Sequence, residues 1–185
     1  MIGVTQLRRG VTFEFDSQLW RVLEYDHYKP GRGNAVIRTK LRNLRTGAII
    51  NKNFISGDRV QEINLEHQTV QYLYNDGETY YFMNTETFEQ PALPRALLED
   101  VIPYMKENTT LEIESYEGEP LDIALPITVD LVVTDAPPGY AGDTATGASK
   151  EVTLETGLKL QVPLFINTGD VLRIDTRTGE YLTRV

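Results

Sequence analysis

One arginine stands between two glycines in the stretch KPGRGN, which covers residues 29–34. Glycine adopts backbone angles that other residues avoid, and it leaves the space on both sides of Arg32 free of side chains. A guanidinium does not act as a general base, because it stays protonated in proteins, but it supplies positioned charge and hydrogen-bond donors. The stretch therefore predicts an apex that reaches toward an anionic partner.

Two strand-like runs, LWRVLEYDHY and AVIRTKLRNL, flank this apex and predict a β-hairpin. Pro30 fixes its own backbone angle and biases Lys29 toward extended geometry. The predicted hairpin loop consists of Lys29, Pro30, Gly31, Arg32, Gly33 and Asn34.

Charge is unevenly distributed along the 185 residues, whose net charge is −9. Residues 1–64 hold 11 Lys and Arg against 6 Asp and Glu, a net charge of +5. Residues 65–126 carry −11 and residues 127–185 carry −3. We therefore expect the first third to face a polyanion and the middle third to avoid phosphate groups.

A stripe of cations follows the apex, with Arg38, Lys40 and Arg42 at every second position of the second hairpin strand. Period-two spacing places the three side chains on one face, about 7 Å apart. Taken alone, such a stripe is typical of a solvated strand face. Taken together with the apex and the net charge of +5, it predicts contact with RNA phosphates.

Composition excludes several kinds of chemistry. The chain contains no cysteine, which rules out disulfides, thiolate metal sites and cysteine nucleophiles, and its two histidines make a multi-histidine metal site unexpected. We expect no metal and no cofactor. No apolar run approaches the ~20 residues needed to span a bilayer, and MIGVTQLRRG lacks the apolar core of a signal peptide. We therefore expect a cytoplasmic protein without membrane contact.

Short runs rich in Val, Ile, Tyr, Phe and Thr, separated by frequent turn signals such as NDGE, YEGEP and NTGD, predict an all-β fold. Only residues 93–105, LPRALLEDVIPYM, have a helical pattern, and it predicts at most about three turns. Many short strands at regular spacing favour small barrels, and the chain accommodates three of ~60 residues each. The changes in charge near residues 64 and 126 predict domains at 1–64, 65–126 and 127–185.

The last third contains the loop APPGYAGDTATGASK. Two prolines stiffen its entrance, and its crest offers backbone N–H groups and small hydroxyls of the kind that read the edges of single-stranded bases. This composition fits equally well a long connection without a function.

Two other functions compete with RNA contact by this hairpin. A polysaccharide-processing enzyme needs two carboxylates at a set separation, and Glu112, Glu114, Glu117 and Glu119 supply candidates, although such a run is usually a solvated face. A generic RNA-binding protein with SH3-like and OB-fold domains needs aromatic stacking platforms on a basic groove. Most tyrosines, however, lie in the acidic segment, including Tyr72, Tyr74, Tyr80 and Tyr81.

The motif KEVTLETGLKLQVPLFINTG, residues 150–169, resembles the signature of the bacterial translation elongation factor P family. The matching positions are Lys150, Val152, Gly157, Leu160, Val162, Pro163, Ile166 and Gly169. KPGRGNAVIRTKLRNLRTGAI resembles the first-domain hairpin of that family, and RTGEYLTRV resembles its C-terminal end. The three matches occur in the family's order over the whole chain.

This resemblance implies a fold of three β-barrels in an L-shaped, tRNA-like arrangement, an SH3-like (KOW-type) barrel followed by two OB-folds. It implies a monomeric, non-enzymatic factor that binds the bacterial ribosome between the peptidyl and exit sites, contacts peptidyl-tRNA and promotes peptide-bond formation at stalled polyproline sequences. By similarity, Arg32 lies near the CCA end of the tRNA and the peptidyl-transferase centre. Gly142, Asp143 and Thr144 contact the exit-site mRNA codon.

The tip departs from many family members, which carry a lysine that an enzyme extends at its amine. Arginine excludes amine-directed additions here. In another subset of the family an enzyme rhamnosylates the arginine, and the sequence KPGRG fits equally a modified and an unmodified Arg32.

Overall fold

The computed structural model describes residues 1–139 and 147–185. Most of the described chain is β-strand, and the strands form three antiparallel sheets in three consecutive segments of the chain. This confirms the predicted all-β fold.

The first sheet surrounds a core that includes Phe13, Trp20 and Phe54. Its strand order is β1-β6-β2-β3-β4-β5, and a short 3₁₀ helix, Val4–Gln6, follows its first strand. The strands are β1 (Ile2–Gly3), β2 (Thr12–Phe15), β3 (Gln18–Tyr28), β4 (Val36–Asn43), β5 (Ile49–Ile55) and β6 (Arg59–Glu62).

The second sheet has the order β11-β10-β7-β8-β9 and a core rich in leucine, isoleucine and buried tyrosine. Its strands are β7 (Glu66–Asn75), β8 (Thr79–Asn84), β9 (Ala92–Pro94), β10 (Thr110–Tyr116) and β11 (Glu119–Ala124). The helix α1 (Arg95–Leu98) and a 3₁₀ helix, Ile102–Tyr104, lie between β9 and β10.

The helical pattern predicted over residues 93–105 is present as these two short pieces, which stay within the predicted limit of about three turns. Proline has no N–H to donate, so a continuous α-helix through Pro103 would lose the hydrogen bond to the Glu99 carbonyl, and α1 ends at Leu98 instead. The apolar residues behind that prediction, Leu97, Leu98 and Val101, are nevertheless buried in the second core.

The third sheet has the order β14-β13-β12-β15-β16. Its strands are β12 (Thr128–Asp135), β13 (Ser149–Leu154), β14 (Lys159–Pro163), β15 (Val171–Asp175) and β16 (Tyr181–Arg184). Alternating residues of β13 are buried, namely Lys150, Val152 and Leu154. The strands β1, β5, β6, β9 and β13 give only a weak signal in the sequence, because each is very short or carries many polar residues.

Apolar contacts join neighbouring sheets. Leu19, Leu44, Ile63 and Leu121 form a buried cluster between the first and second sheets. Between the second and third sheets, Tyr104 packs against the third core, and the Thr156 hydroxyl donates a hydrogen bond to the Pro103 carbonyl at 2.6 Å. The first of these two joints also contains the ionic cluster described below.

Candidate functional site

The β3–β4 hairpin is the longest strand pair of the first sheet. Its last pair is Tyr28 with Val36, which leaves residues 29–35 as the loop. The hairpin predicted from the sequence is therefore confirmed, and its loop extends one residue further than predicted.

The tip presents Arg32 to solvent, together with Lys29 and Asn34, while Pro30 is half-buried. Gly33 has a φ of +104°, in the left-handed region that favours glycine, so this turn requires it. A Cβ atom added at Gly31 would meet nothing within 4 Å, so the space around the arginine is open. The residues on either side of Arg32 thus leave its guanidinium unobstructed.

Neither Arg32 nor Lys29 forms a salt bridge with any carboxylate in residues 1–139 and 147–185. A guanidinium carries five N–H donors in a planar fork, and an ammonium carries three donors. The tip therefore combines two positive charges with donors suited to phosphate or carbonyl oxygens.

A β-bulge shapes the face that carries the predicted stripe. The pairing of β3 with β4 shifts between Val22 and Glu24, so that Leu23 is the extra residue. Direct cross-strand partners share one face of a sheet. Lys40 lies opposite Glu24 and Arg38 opposite Asp26, which places carboxylates beside the cations of the stripe.

These cross-strand partners form ion pairs. The Lys40 ammonium lies 3.2 Å from the Glu24 carboxylate, and the Arg38 guanidinium lies 4.0 Å from that of Asp26. The Arg38 guanidinium also stacks over the Tyr28 ring, 4.6 Å from its centroid. The side chains of Arg38 and Lys40 remain 55% and 40% exposed, so a partner can still reach both.

Arg42, the third residue of the stripe, lies in the joint with the second sheet, and its side chain is only 15% exposed. It donates a hydrogen bond to the Leu97 carbonyl at 2.7 Å and lies 3.8 Å from the carboxylates of both Asp100 and Asp122. Arg21 joins the same cluster through Glu114 and, at 3.2 Å, through Asp122. The structure thus separates Arg42 from the exposed part of the stripe.

Asp122 is the buried centre of this cluster, and its side chain is 8% exposed. Burial raises the pKa of its carboxyl, because charge is disfavoured away from water, whereas Arg42, the Ile123 N–H and Arg21 oppose that rise. The charge of Asp122 therefore depends on the two arginines from the first sheet.

The predicted codon-contacting residues Gly142, Asp143 and Thr144 lie outside the described residues. The chain on either side of them is held in place. The Lys150 ammonium donates a hydrogen bond to the Pro137 carbonyl at 3.0 Å, and Lys150 is buried. A Cβ atom at Gly139 would come within 2.9 Å of the Leu164 side chain, so the backbone packs closely here.

The candidate enzyme residues have structural contacts. Glu114 pairs with Arg21, and Glu119 lies 3.1 Å from Arg45, so both connect the first and second sheets. The described part of the chain has no group of three or more His, Asp or Glu residues placed to hold a metal ion. It also has no helix that is both long and apolar enough to span a bilayer.

Four tyrosines of the acidic segment form two stacked pairs. Tyr72 and Tyr80 are buried in the second core with their rings stacked at 5.8 Å. Tyr74 and Tyr81 stack on each other at 4.7 Å on an acidic surface, where the Tyr81 hydroxyl donates to Asp76 at 3.1 Å. An arrangement of this kind supplies no basic groove for single-stranded bases.

The sequence interpretation missed Arg21, Asp122 and the carboxylates beside the stripe. Residues equally distant from a hairpin apex face each other, so an apex at Arg32 would have matched Glu24 with Lys40 and Asp26 with Arg38. The predicted loop, which ends at Asn34, gives a register that is one residue away. Asp122 gave no such signal, because its contact with Arg21 spans 101 residues of sequence.

Three family models match the chain in succession. Residues 3–60 match the elongation factor P (EF-P) KOW-like domain, residues 65–123 match the elongation factor P (EF-P) OB domain, and residues 129–184 match elongation factor P, C-terminal. Together these matches cover most of the chain.

Two curated relatives named elongation factor P, from Moorella thermoacetica and Thermoanaerobacter sp., are each 52% identical to this chain, over 184 and 185 residues respectively. Each alignment covers 100% of this chain and 100% of the relative. A solved structure titled eukaryotic translation initiation factor 5A from Methanococcus jannaschii is similar in fold, with a TM-score of 0.53 at 18% identity. That similarity covers 66% of this chain and 90% of the solved chain.

Proposed function

The chain belongs to the elongation factor P family, and on that basis we propose that it binds the bacterial ribosome between the peptidyl and exit sites and contacts peptidyl-tRNA. There it promotes peptide-bond formation at stalled polyproline sequences. Family membership supports a role in translation, and the more specific proposal rests on the hairpin. We propose that it acts in the cytoplasm as a monomer.

The exposed guanidinium of Arg32 is the observation that carries this proposal. It stands at the apex of the long β3–β4 hairpin in open space, beside the second free cation, Lys29. Of the described carboxylates, none lies close enough to either residue to neutralise it. The tip is therefore available to bind the phosphates and carbonyl oxygens at a tRNA 3′ end.

Positioning is the chemistry that such a tip can perform. A guanidinium stays protonated near neutral pH, so this kind of side chain does not serve as an acid or base. Holding two reactants in attack geometry raises a rate without proton transfer, since it removes the entropic cost of bringing them together. Proline is a poorly placed nucleophile in this setting, because its ring restricts the backbone.

The rest of the chain positions the hairpin tip on the ribosome. We propose domains at 1–64, 65–126 and 127–185, with the middle domain, of net charge −11, acting as a spacer that avoids phosphate. Arg38 and Lys40 contact RNA phosphates at the exposed part of the stripe. Gly142, Asp143 and Thr144 contact the exit-site codon, and Lys150 holds the chain beside them through the Pro137 carbonyl.

Arg32 is also the proposed site of modification, by an enzyme that adds rhamnose to the guanidinium. The open space at the tip would accommodate a sugar without displacing protein atoms. Intact-mass analysis of protein from its native cells tests this directly. A mass increment of a deoxyhexose on the peptide that contains Arg32 supports modification, and an unmodified mass means that arginine itself is the active group.

Single-turnover peptide-bond formation tests the function itself. Ribosomes carrying a peptidyl-tRNA that ends in proline receive Pro-tRNA with and without the protein, and a Phe-Phe pair serves as the control. We expect the protein to accelerate only the Pro-Pro reaction. If both rates remain unchanged while the protein still binds RNA, it is a generic RNA-binding protein with SH3-like and OB-fold domains.

A further inference from the structure

Both faces of the first sheet carry cations, and the two faces hold them differently. On the stripe face, Arg38 and Lys40 pair with carboxylates. On the opposite face, Arg8 and Lys52 lie against aromatic rings, and neither forms a salt bridge with a described carboxylate. We call the group formed by Arg8, Tyr25, Lys52 and Phe15 the cation–aromatic patch.

Arg8 is held in a fixed orientation without being neutralised. Its guanidinium carbon lies 4.9 Å from the centroid of the Tyr25 ring, and one of its terminal nitrogens donates to the carbonyls of Thr5, at 3.0 Å, and Leu7, at 2.6 Å. The other two guanidinium nitrogens keep their N–H donors for a partner. Because the ring and the backbone already restrict the side chain, binding an anion costs it little further entropy.

Lys52 occupies the other side of the patch. Its ammonium lies 4.5 Å from the centroid of the Phe15 ring and 5.4 Å from that of Phe54. These rings pack edge to face at 5.6 Å, which fixes the surface on which the lysine lies. The charge is therefore positioned, and its three donors face no described carboxylate.

Strand register brings the two cations together. Tyr25, Thr39 and Lys52 are direct partners across β3, β4 and β5, so their side chains share a face. Adjacent strands are about 4.8 Å apart, which places Tyr25 and Lys52 roughly 10 Å from each other. Thr39 between them is buried, so the patch lies where the core-facing side of the sheet reaches solvent.

We propose that the cation–aromatic patch binds the phosphodiester backbone of RNA and that it contributes more to RNA affinity than the paired stripe does. This deepens the proposed function, on which it rests, by assigning a further RNA-binding surface to the first domain. A cation that neutralises a phosphate releases condensed counterions, and a cation already paired with a carboxylate must first give up that pair. Arg8 and Arg38 both stack on a tyrosine ring, so ring contact does not distinguish the two faces, and the described carboxylates beside Arg38 and Lys40 do.

Two double variants separate the faces. Arg8→Gln/Lys52→Gln removes two positive charges from the patch, and Arg38→Gln/Lys40→Gln removes two from the stripe as the matched control. Binding to ribosomes that hold peptidyl-tRNA is measured between about 50 and 200 mM salt. We expect the slope of log affinity against log salt to fall by about two for the patch variant, and by much less for the stripe variant. Equal losses, or a larger loss from the stripe variant, would overturn the proposal.

The same titration against a free tRNA transcript keeps this inference distinct from the proposed function. If the protein fails to accelerate Pro-Pro synthesis, a loss of tRNA affinity confined to the patch variant still supports the patch. If the protein accelerates synthesis and both variants bind tRNA alike, the function holds and the patch is rejected.

Arg8→Lys/Lys52→Arg keeps both charges and should retain the wild-type slope; the loss of that slope would contradict a phosphate contact. Poly-glutamate binding that depends equally on the patch would reject RNA as its partner.

Discussion

At the root of the β3–β4 hairpin, Arg42 is 15% exposed and contacts Asp122, Asp100 and the Leu97 carbonyl in the second sheet. At the tip of the same hairpin, Arg32 is exposed, stands in open space and meets no described carboxylate. The two residues have the same side chain and lie ten positions apart in the chain. Their surroundings give one a structural contact and leave the other free for a partner.

Burial of Asp122 accounts for the difference. A carboxylate removed from water needs opposite charge and hydrogen bonds, and the root of the hairpin supplies both through Arg42 and Arg21. No equivalent buried acid lies near the tip within the described residues. Substitutions at the root should therefore change stability, and substitutions at the tip should change activity alone.

The largest effect on stability is expected from Arg42→Ala, which leaves Asp122 buried with one fewer partner. Leaving a buried charge without any partner costs about 3 to 5 kcal/mol, and because Asp122 keeps Arg21 we expect a loss near the lower end of that range. Urea unfolding measures the loss, and Arg45→Ala provides the control, because the pair of Arg45 with Glu119 is about half exposed and contributes at most about 1 kcal/mol. Equal losses for both variants would mean that burial does not distinguish the two contacts.

A smaller effect is expected from pH acting through Asp122. Its pKa is raised on folding, so the folded state binds this proton more tightly than the unfolded state. The stability of the wild type relative to Asp122→Asn should therefore be greatest below the ordinary carboxyl pKa of 3.8 and decline as the pH rises through the folded value. Unfolding of both proteins between pH 4 and 7 measures this difference. If the stability of the wild type relative to Asp122→Asn increased as the pH rises, the pKa of Asp122 would be lowered on folding, and the prediction would be wrong.

The same carboxylate provides a rescue test for the root. Adding Asp122→Asn to Arg42→Ala removes the buried charge that lost its partner, so the double variant should recover much of the lost stability. Unfolding of the two single variants and the double variant forms the cycle. Strictly additive losses would show that Arg42 stabilises the joint through packing and the Leu97 carbonyl instead.

The sequence predicted the hairpin and its tip well, because both depend on local patterns. Alternating apolar residues specify β3 and β4, and Gly33 at positive φ specifies the turn. The same local logic failed for Arg42, since period-two spacing places it on the face of Arg38 and Lys40 without revealing what covers that face. The partner that covers it, Asp122, lies in another sheet.

The structure adds detail to the sequence prediction at two further places, and in both the cause is a local feature that an alternating pattern of residues does not reveal. The bulge at Leu23 changes which β3 residues face the stripe, and it brings Arg21 opposite Arg42. Pro103 limits the helical pattern of residues 93–105 to two short pieces.

The smallest effects on stability are expected in the middle of the hairpin, between root and tip. The pairs of Lys40 with Glu24 and of Arg38 with Asp26 are exposed, and exposed pairs contribute about 0 to 1 kcal/mol. Lys40→Gln and Arg38→Gln should therefore leave the urea midpoint nearly unchanged. Arg42 is omitted from this set because its loss would disturb the joint. A large loss of stability in either single variant would show that residues in the middle of the hairpin, and not only those at its root, stabilise the fold.

The rate of single-turnover Pro-Pro synthesis with Arg32→Ala, at a saturating concentration of the protein, tests the account most directly. We predict that this variant unfolds like the wild type and still binds ribosomes, but loses the acceleration by at least about tenfold, because the contact that orients the reactants is gone. Arg32→Lys should recover part of the rate, since it keeps the charge and loses the planar donor fork. A wild-type rate from Arg32→Ala would contradict the account and show that the tip is only a turn.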